Sequence, residues 1–221
     1  MPLTKDKVGL FAAAGSYFSD WNKVYVEYCS SDSWTGMGGQ SGPLTGLQSE
    51  YGHGFAEFRG HLILDAVLDI LSTRPAGEPS ITDPGSRVLF GGGSAGSIGA
   101  QQNLDYVADT LGEEVEVRGL FDAAFNGQVA YDPADPTACS SQLEVGSVPS
   151  TTPQGRVDAY VYRDSFVDES CAAAAASEGL HPAVCMSPAY RTGGAHIETP
   201  HFMIQALKDY LPVGRVSSQD A

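Results

Sequence analysis

Apolar positions follow two different rhythms along the chain. Residues 23–28 (KVYVEY) alternate apolar and polar side chains, with Val24, Val26 and Tyr28 marking the period, and this predicts a strand. A polar turn, Cys29-Ser30-Ser31-Asp32, leads from it to Trp34. Residues 36–54 are rich in Gly, Ser and Thr and predict a long loop. Over Phe55–Leu71, Phe55, Phe58, Leu62, Val67 and Leu71 recur at helical spacing and predict a helix. Pro75, Pro79 and Pro84 then break residues 72–86 into turns.

The middle of the chain is the most regular part. Arg87–Phe90 (RVLF) is a short apolar run of the kind found in strands buried on both faces. A glycine-rich stretch, 91–99 (GGGSAGSIG), follows at once. Ala100–Leu111 is helical in pattern through Leu104, Val107, Ala108 and Leu111, and Val115–Leu120 predicts the next strand. Helix, strand, glycine loop, helix and strand in that order favour an α/β fold, with a parallel sheet and helices on its faces. Beyond Asp122 the signal weakens. Residues 131–153 are turn-rich, 158–166 fit either a strand or a helix, and Cys171–Ser177 is a good helix former. The apolar run from Pro200 to Leu211 predicts a late strand ending near Asp209.

Composition narrows the class. A chain of 221 residues suits a single domain, 1–221, with its own core. A hydrophobic share of 42% excludes a disordered chain. With 12 basic against 27 acidic residues the formal charge is −15, which disfavours nucleic acid and anionic membranes as partners. No apolar stretch is long enough to span a bilayer. The four cysteines, Cys29, Cys139, Cys171 and Cys185, allow three pairings, and none forms a C-x-x-C pair, so a zinc site is not expected. Disulfides would point to a secreted or luminal compartment. The opening MPLTKDKVGLFAAAGSYF is a poor signal peptide and reads as part of the fold.

Gly92-Gly93-Ser94-Ala95-Gly96 fits G-x-S-x-G, with a buried strand before it and a helix after it. That context makes Ser94 a candidate nucleophile on a tight strand-to-helix turn, where Gly92 and Gly96 crowd together. The amide of Ala95 is then a candidate oxyanion donor, helped by the helix dipole. The same letters permit another reading. Gly91, Gly93 and Gly96 also fit G-x-G-x-x-G, with Glu113 or Glu116 available for a ribose hydroxyl, which would make the chain a dinucleotide-binding oxidoreductase. A glycine-rich turn without chemistry is the third possibility.

Several short motifs in one order go further. Asp20-Trp21-Asn22-Lys23-Val24, Tyr28 to Gly36 (YCSSDSWTG), Phe58-Arg59-Gly60, Gly91 to Gly96, Asn103-Leu104-Asp105 and Arg118 to Asp122 (RGLFD) together resemble the pectin acetylesterase/Notum family. The resemblance is strong over 8–126 and weaker over 160–211. It implies an α/β-hydrolase-like fold, incomplete here, and an extracellular serine carboxylesterase that needs no cofactor. It also implies an acylated polysaccharide or an acylated protein as substrate, with acetyl the expected group; a monomer is expected. By the same resemblance Ser94 matches the family nucleophile and Asp209 the triad acid.

The departures are specific. The five histidines, His53, His61, His181, His196 and His201, all precede Asp209, whereas the family's His follows its Asp. An upstream glycine-rich loop bearing a Trp is also absent, so the chain is expected to be clipped at both ends. The family's Asp-Ala-Gly is here Asp122-Ala123-Ala124, and Met186-Ser187 stand where aromatics often follow the later Cys, which weakens a long-acyl pocket. His196 with Asp164 or Asp168 would restore the order Ser, Asp, His. An inactive member lacking the triad His is the alternative reading. Asp32 and Trp34 are candidates for the site mouth, with core packing an equal possibility for Trp34. Asp122 is expected at a strand end near the site.

Overall fold

The computed structural model describes residues 17–38, 42–43, 55–123, 153–187, 190–191 and 196–205. Its centre is a parallel sheet. Strand β3 (Arg87–Gly93) is followed by a helix, α2 (Ala95–Leu111), and then by β4 (Glu116–Asp122). A later strand, β5 (His201–Ile204), joins the far side of β4, giving the order β3-β4-β5 with every pairing parallel. Arg87 pairs with Glu116 and Gly93 with Asp122; Gly119 pairs with His201 and Asp122 with Ile204. The three strands therefore end together, at Gly93, Asp122 and Ile204.

The strand and helix predicted around the glycine run are both longer than their apolar cores. β3 continues through three glycines, and α2 starts five residues before Ala100. Glycine and serine carry no apolar period, so hydrophobic pattern stops short of both ends. β3 is half-buried rather than sealed on both faces. β4 alternates, with Val117, Gly119 and Phe121 buried beneath α2 and Glu116 and Arg118 outward.

The helix predicted from Phe55 begins at Gly60; this is α1 (Gly60–Ser72). Phe55 and Ala56 instead form a two-residue strand, β2, antiparallel to β1 (Gly42–Pro43). The Phe58 carbonyl accepts from the Gly38 amide at 2.8 Å, which holds the chain extended up to the helix start. Leu64 and Leu68 of α1 join Ala100, Leu104, Val107 and Leu111 of α2, Val115, Val117, Phe121 and Ile197 in one buried cluster. Leu104, Val107 and Phe121 are wholly sequestered.

A second, smaller cluster lies in the later part of the chain. Residues 158–166, undecided from sequence, are mostly helical, within α3 (Pro153–Arg163). The alanine-rich stretch forms α4 (Glu169–Ser177), capped by the Asp168 carboxylate, which accepts from the Cys171 amide at 2.9 Å. A 3₁₀ turn, Pro182–Met186, follows. Cys171 and Cys185 are joined in a disulfide, and Val167, Ala175 and Val184 pack around it. Cys29 is free and exposed, and Cys139 lies outside the described residues.

The strand expected at 23–28 is not formed. Among the described residues that segment joins no sheet, and Val24 and Tyr25 are each 52% exposed. Alternation sets which way side chains point, but a strand also needs a neighbour for its backbone. The predicted turn-rich region 131–153 lies almost wholly outside the described residues, as does the tail of the last predicted strand beyond Gln205.

Candidate active site

Ser94 sits between the end of β3 and the start of α2 with φ 52° and ψ −121°. A non-glycine residue at positive φ is strained by about 1–3 kcal/mol, and such strain persists only where surrounding contacts fix it. Here the fixing contacts are plain. The Ser94 amide donates to the Asp122 carbonyl at 2.9 Å, tying the turn to the end of β4. Its carbonyl accepts from the amides of Ser97 and Ile98 at 2.9 and 3.1 Å, which starts the helix. The side chain makes no capping hydrogen bond and the residue is exposed. The hydroxyl thus stands clear of the packed interior, at the edge where all three strands end. Ligands of parallel α/β sheets bind at that carboxyl edge.

The glycine sterics are one-sided. A methyl group on Gly92 would overlap the backbone of Gly96, so the turn closes only with glycine at 92. A methyl group on Gly96 would meet open space. The mutual crowding expected from sequence is therefore real, but it constrains Gly92 alone. Ala95 opens the helix, and the amides of Ala95 and Gly96 precede the first intrahelical donors, so helix geometry leaves them free to face an anion.

Around the turn, a loop sequence reading only glimpsed is held by Asp32. Its carboxylate is fully buried and accepts from the Ser30 hydroxyl (2.6 Å) and the amides of Trp34 (2.9 Å), Gly36 (3.1 Å) and Gly60 (2.7 Å). Asp32 is thus an internal clamp joining residues 30–36 to the start of α1, not a residue of the site mouth. Trp34, at φ 60°, lays its indole against Gly99 of α2, where no β-carbon would fit. Trp34 is half-buried, and its ring lies 5.7 Å from that of Tyr28. Asn103 locks the contact: its Nδ2 donates to the carbonyls of Trp34 (3.0 Å) and Gly99 (2.8 Å), which leaves Oδ1 to accept from His61 Nδ1 at 2.7 Å.

The described histidines have other duties. His61 is buried and stacks on Phe166 at 4.0 Å. His181 caps the 3₁₀ turn by accepting from the Ala183 amide. His196 stacks on Tyr190 at 5.2 Å. Of its suggested partners, Asp168 caps α4, and Asp164 is an exposed residue just past the end of α3, at φ 50°. His201 is an exposed strand residue against Phe121, with Nδ1 donating to the Thr199 carbonyl. His53 and Asp209 lie outside the described residues. Asp122 is exposed at the end of β4, as expected, and contributes its carbonyl to the turn.

Geometry also separates the acids of the dinucleotide reading from the glycine run. Glu116 pairs with Arg87, at the far end of β3 from Gly93, and Glu113 lies further back still. Six strand residues put about 20 Å between that end and the turn. Among the described residues no group of three metal-ligating side chains converges.

Residues that sequence reading missed lie on the inner side of α2. Gln101, Gln102 and Asn103 are consecutive and all buried. Arg191 is fully buried between the Cys185 carbonyl (2.6 Å) and Gln101 Oε1 (2.9 Å). Burial pulls its pKa down to about 9, with the more distant Asp168 opposing the shift, and it stays charged at neutral pH. Three amides in a row on a helix already rich in apolar positions were the available signal.

A family model described as pectinacetylesterase matches residues 11–220. The chain belongs to the pectinacetylesterase family. It is 33% identical over 141 residues to palmitoleoyl-protein carboxylesterase NOTUM of Drosophila melanogaster, a match covering 60% of this chain and 20% of that protein. It is 24% identical over 200 residues to pectin acetylesterase 5 of Arabidopsis thaliana, covering 90% of this chain and 39% of that one. A solved structure of the Wnt deacylase Notum from Drosophila superposes with a TM-score of 0.63 at 26% identity, over 93% of this chain and 52% of that chain. The α/β-hydrolase-like class expected from sequence is the class found. The chain spans about half the length of that solved relative, and less of its curated ones.

Proposed function

We infer that this chain carries the nucleophile of a carboxylic-ester hydrolase working through a seryl acyl-enzyme. The observation that carries the reading is the strained, exposed Ser94 on a strand-to-helix turn, followed directly by the first amides of a helix. In this scheme Ser94 Oγ attacks the acyl carbonyl carbon while a base takes its proton. The Ala95 amide donates to the oxygen that becomes negative, and the helix start favours that charge. The alcohol leaves with the proton, and water then attacks the acyl-serine to release the acid. Asp209 is assigned the task of orienting the base. β5 ends at the nucleophile edge five residues before it, in the chain order Ser, Asp, His of this fold class. No described histidine hydrogen-bonds to Ser94, so the base is assigned to none of them.

The substrate proposed is an acetyl ester on a polysaccharide, or an acylated protein. The acetyl assignment is supported by the breadth of the match to the plant pectin acetylesterase and by Met186-Ser187 in place of aromatics. An extracellular setting is supported by the Cys171–Cys185 disulfide. The test is covalent labelling by a fluorophosphonate, with hydrolysis of p-nitrophenyl acetate, butyrate and octanoate in parallel. Labelling that vanishes in Ser94→Ala, with acetate turned over fastest, is the expected result. A folded protein that resists labelling would support the second reading, a family member that retains the fold without turnover. The engagement of all four described histidines elsewhere is what favours that alternative.

A further inference from the structure

We propose that Arg191 is a positioning residue for the Ser94 turn, acting through Gln101 and Ser97; this deepens the ester-hydrolase reading and rests on it. A continuous set of contacts supports the assignment. Arg191 Nη1 donates to the Cys185 carbonyl at 2.6 Å, and Nη2 donates to Gln101 Oε1 at 2.9 Å. Gln101 Nε2 reaches Ser97 Oγ at 3.4 Å, and the Ser97 amide donates to the Ser94 carbonyl at 2.9 Å. The Cys185 carbonyl also accepts from Gln102 Nε2 at 3.0 Å. The Cys185 carbonyl and Arg191 thereby grip two successive residues of α2, about two turns beyond Ser94.

For stability alone the arrangement is a poor one. Arg191 is fully buried, its described hydrogen-bond acceptors are neutral, and no described carboxylate lies within ion-pair distance of it. Among the described residues its Nε has no partner, and neither has Gln102 Oε1. Asp168 offsets part of the guanidinium's desolvation through space, but an apolar side chain of similar volume would join the same elements at less cost. What a guanidinium adds is a rigid planar fork, two donors at a fixed angle. Set between a loop carbonyl and a helix side chain, that fork fixes the rotation of α2 about its axis. The rotation of α2 in turn determines where the Ser94 hydroxyl and the Ala95 amide point.

The test uses the full chain with Arg191→Met, Arg191→Lys and Gln101→Leu, the last cutting the same path from its other end. Melting temperature, amide hydrogen exchange across 94–103 and 104–111, and the rate of fluorophosphonate labelling are measured together. Arg191→Met is expected to melt within a few degrees of wild type. It should exchange the first-turn amides about tenfold faster, and label about tenfold slower, the worth of one charge-assisted hydrogen bond. Gln101→Leu should show the same local exchange and labelling changes with a larger fall in melting temperature, since the buried guanidinium loses an acceptor, and Arg191→Lys, which keeps the charge without the fork, should restore neither. Unchanged first-turn exchange, full rescue by lysine, or a uniform rise in exchange that tracks a lower melting temperature would each overturn the proposal. If wild type resists labelling yet the first-turn exchange difference persists, the positioning role stands and the hydrolase reading falls.

Discussion

Asp32 offers a strong test of how the site is held, because one side chain serves three backbone amides and a hydroxyl from two distant segments. In Asp32→Ala the amides of Trp34, Gly36 and Gly60 lose their acceptor, and this polar pocket is sequestered from water. A buried donor left unsatisfied costs about 1–3 kcal/mol, so three cost on the order of 5 kcal/mol. That is a large part of the roughly 5–15 kcal/mol that holds a typical domain together. For a chain of this size each kcal/mol moves the melting temperature by about 2–4 °C, so a fall of roughly 10–20 °C is expected by calorimetry. Asp32→Asn should cost less. Its oxygen can keep the Gly36 and Gly60 amides while its NH₂ turns to Ser30, whose hydroxyl can rotate to accept. Only the Trp34 amide is then orphaned. Ala below Asn below wild type is the expected order, and Ser94 labelling should weaken in that order as Trp34 loosens from Gly99. If Asp32→Ala melts within about 3 °C of wild type, the clamp is not a principal support and the reasoning fails.

The remaining predictions concern the turn, the disulfide and pH. Gly92→Ala should abolish Ser94 labelling while leaving far-ultraviolet circular dichroism intact, at an overpacking cost of about 1–3 kcal/mol, whereas Gly96→Ala should be tolerated; equal effects would refute the one-sided sterics. Replacing Cys171 and Cys185 with alanine should cost about 3 kcal/mol in urea titrations, for a bridge closing a span of 14 residues, and reductant should destabilise wild type by a similar amount. Burial raises the Asp168 pKa, with the nearby Asp105 adding to the rise and the Cys171 and Ser170 hydrogen bonds opposing it. A raised carboxyl favours its protonated form in the fold. Its contribution is therefore full below the ordinary value near 3.8 and is lost as pH climbs through the raised one. Asp168→Asn, which keeps the cap, should gain in melting temperature relative to wild type as pH is raised from 4 to 7; a constant difference would show that the carboxyl does not titrate in that window.

The turn at Ser94 was legible because its physics is local. A short apolar strand, a closely packed glycine, a serine and the start of a helix follow one another without a break, and each constrains its neighbours directly. The β3-α2-β4 unit was legible for the same reason: burial on one side of a regular element imprints a period on the sequence. The segment 23–28 shows the limit of that signal. Its alternation is real, yet no neighbouring strand is present among the described residues to complete it. The start of α1 at Gly60 was likewise set from outside, by the Asp32 carboxylate 28 residues earlier.

What tertiary structure alone decided is the support around the Ser94 turn. Asp32 could be any polar loop residue until Gly60 arrives beside it. Gln101 and Arg191 stand 90 residues apart, and Gln102 and Cys185 stand 83 apart. Hydrogen bonds between such positions leave no periodic trace, because each partner is a single polar residue whose burial depends on chain packed from elsewhere. The sequence by itself determined where a tight strand-to-helix turn presents Ser94. The folded chain decided what keeps it aimed, since only packing brings buried donors and acceptors from distant segments within 3 Å of each other.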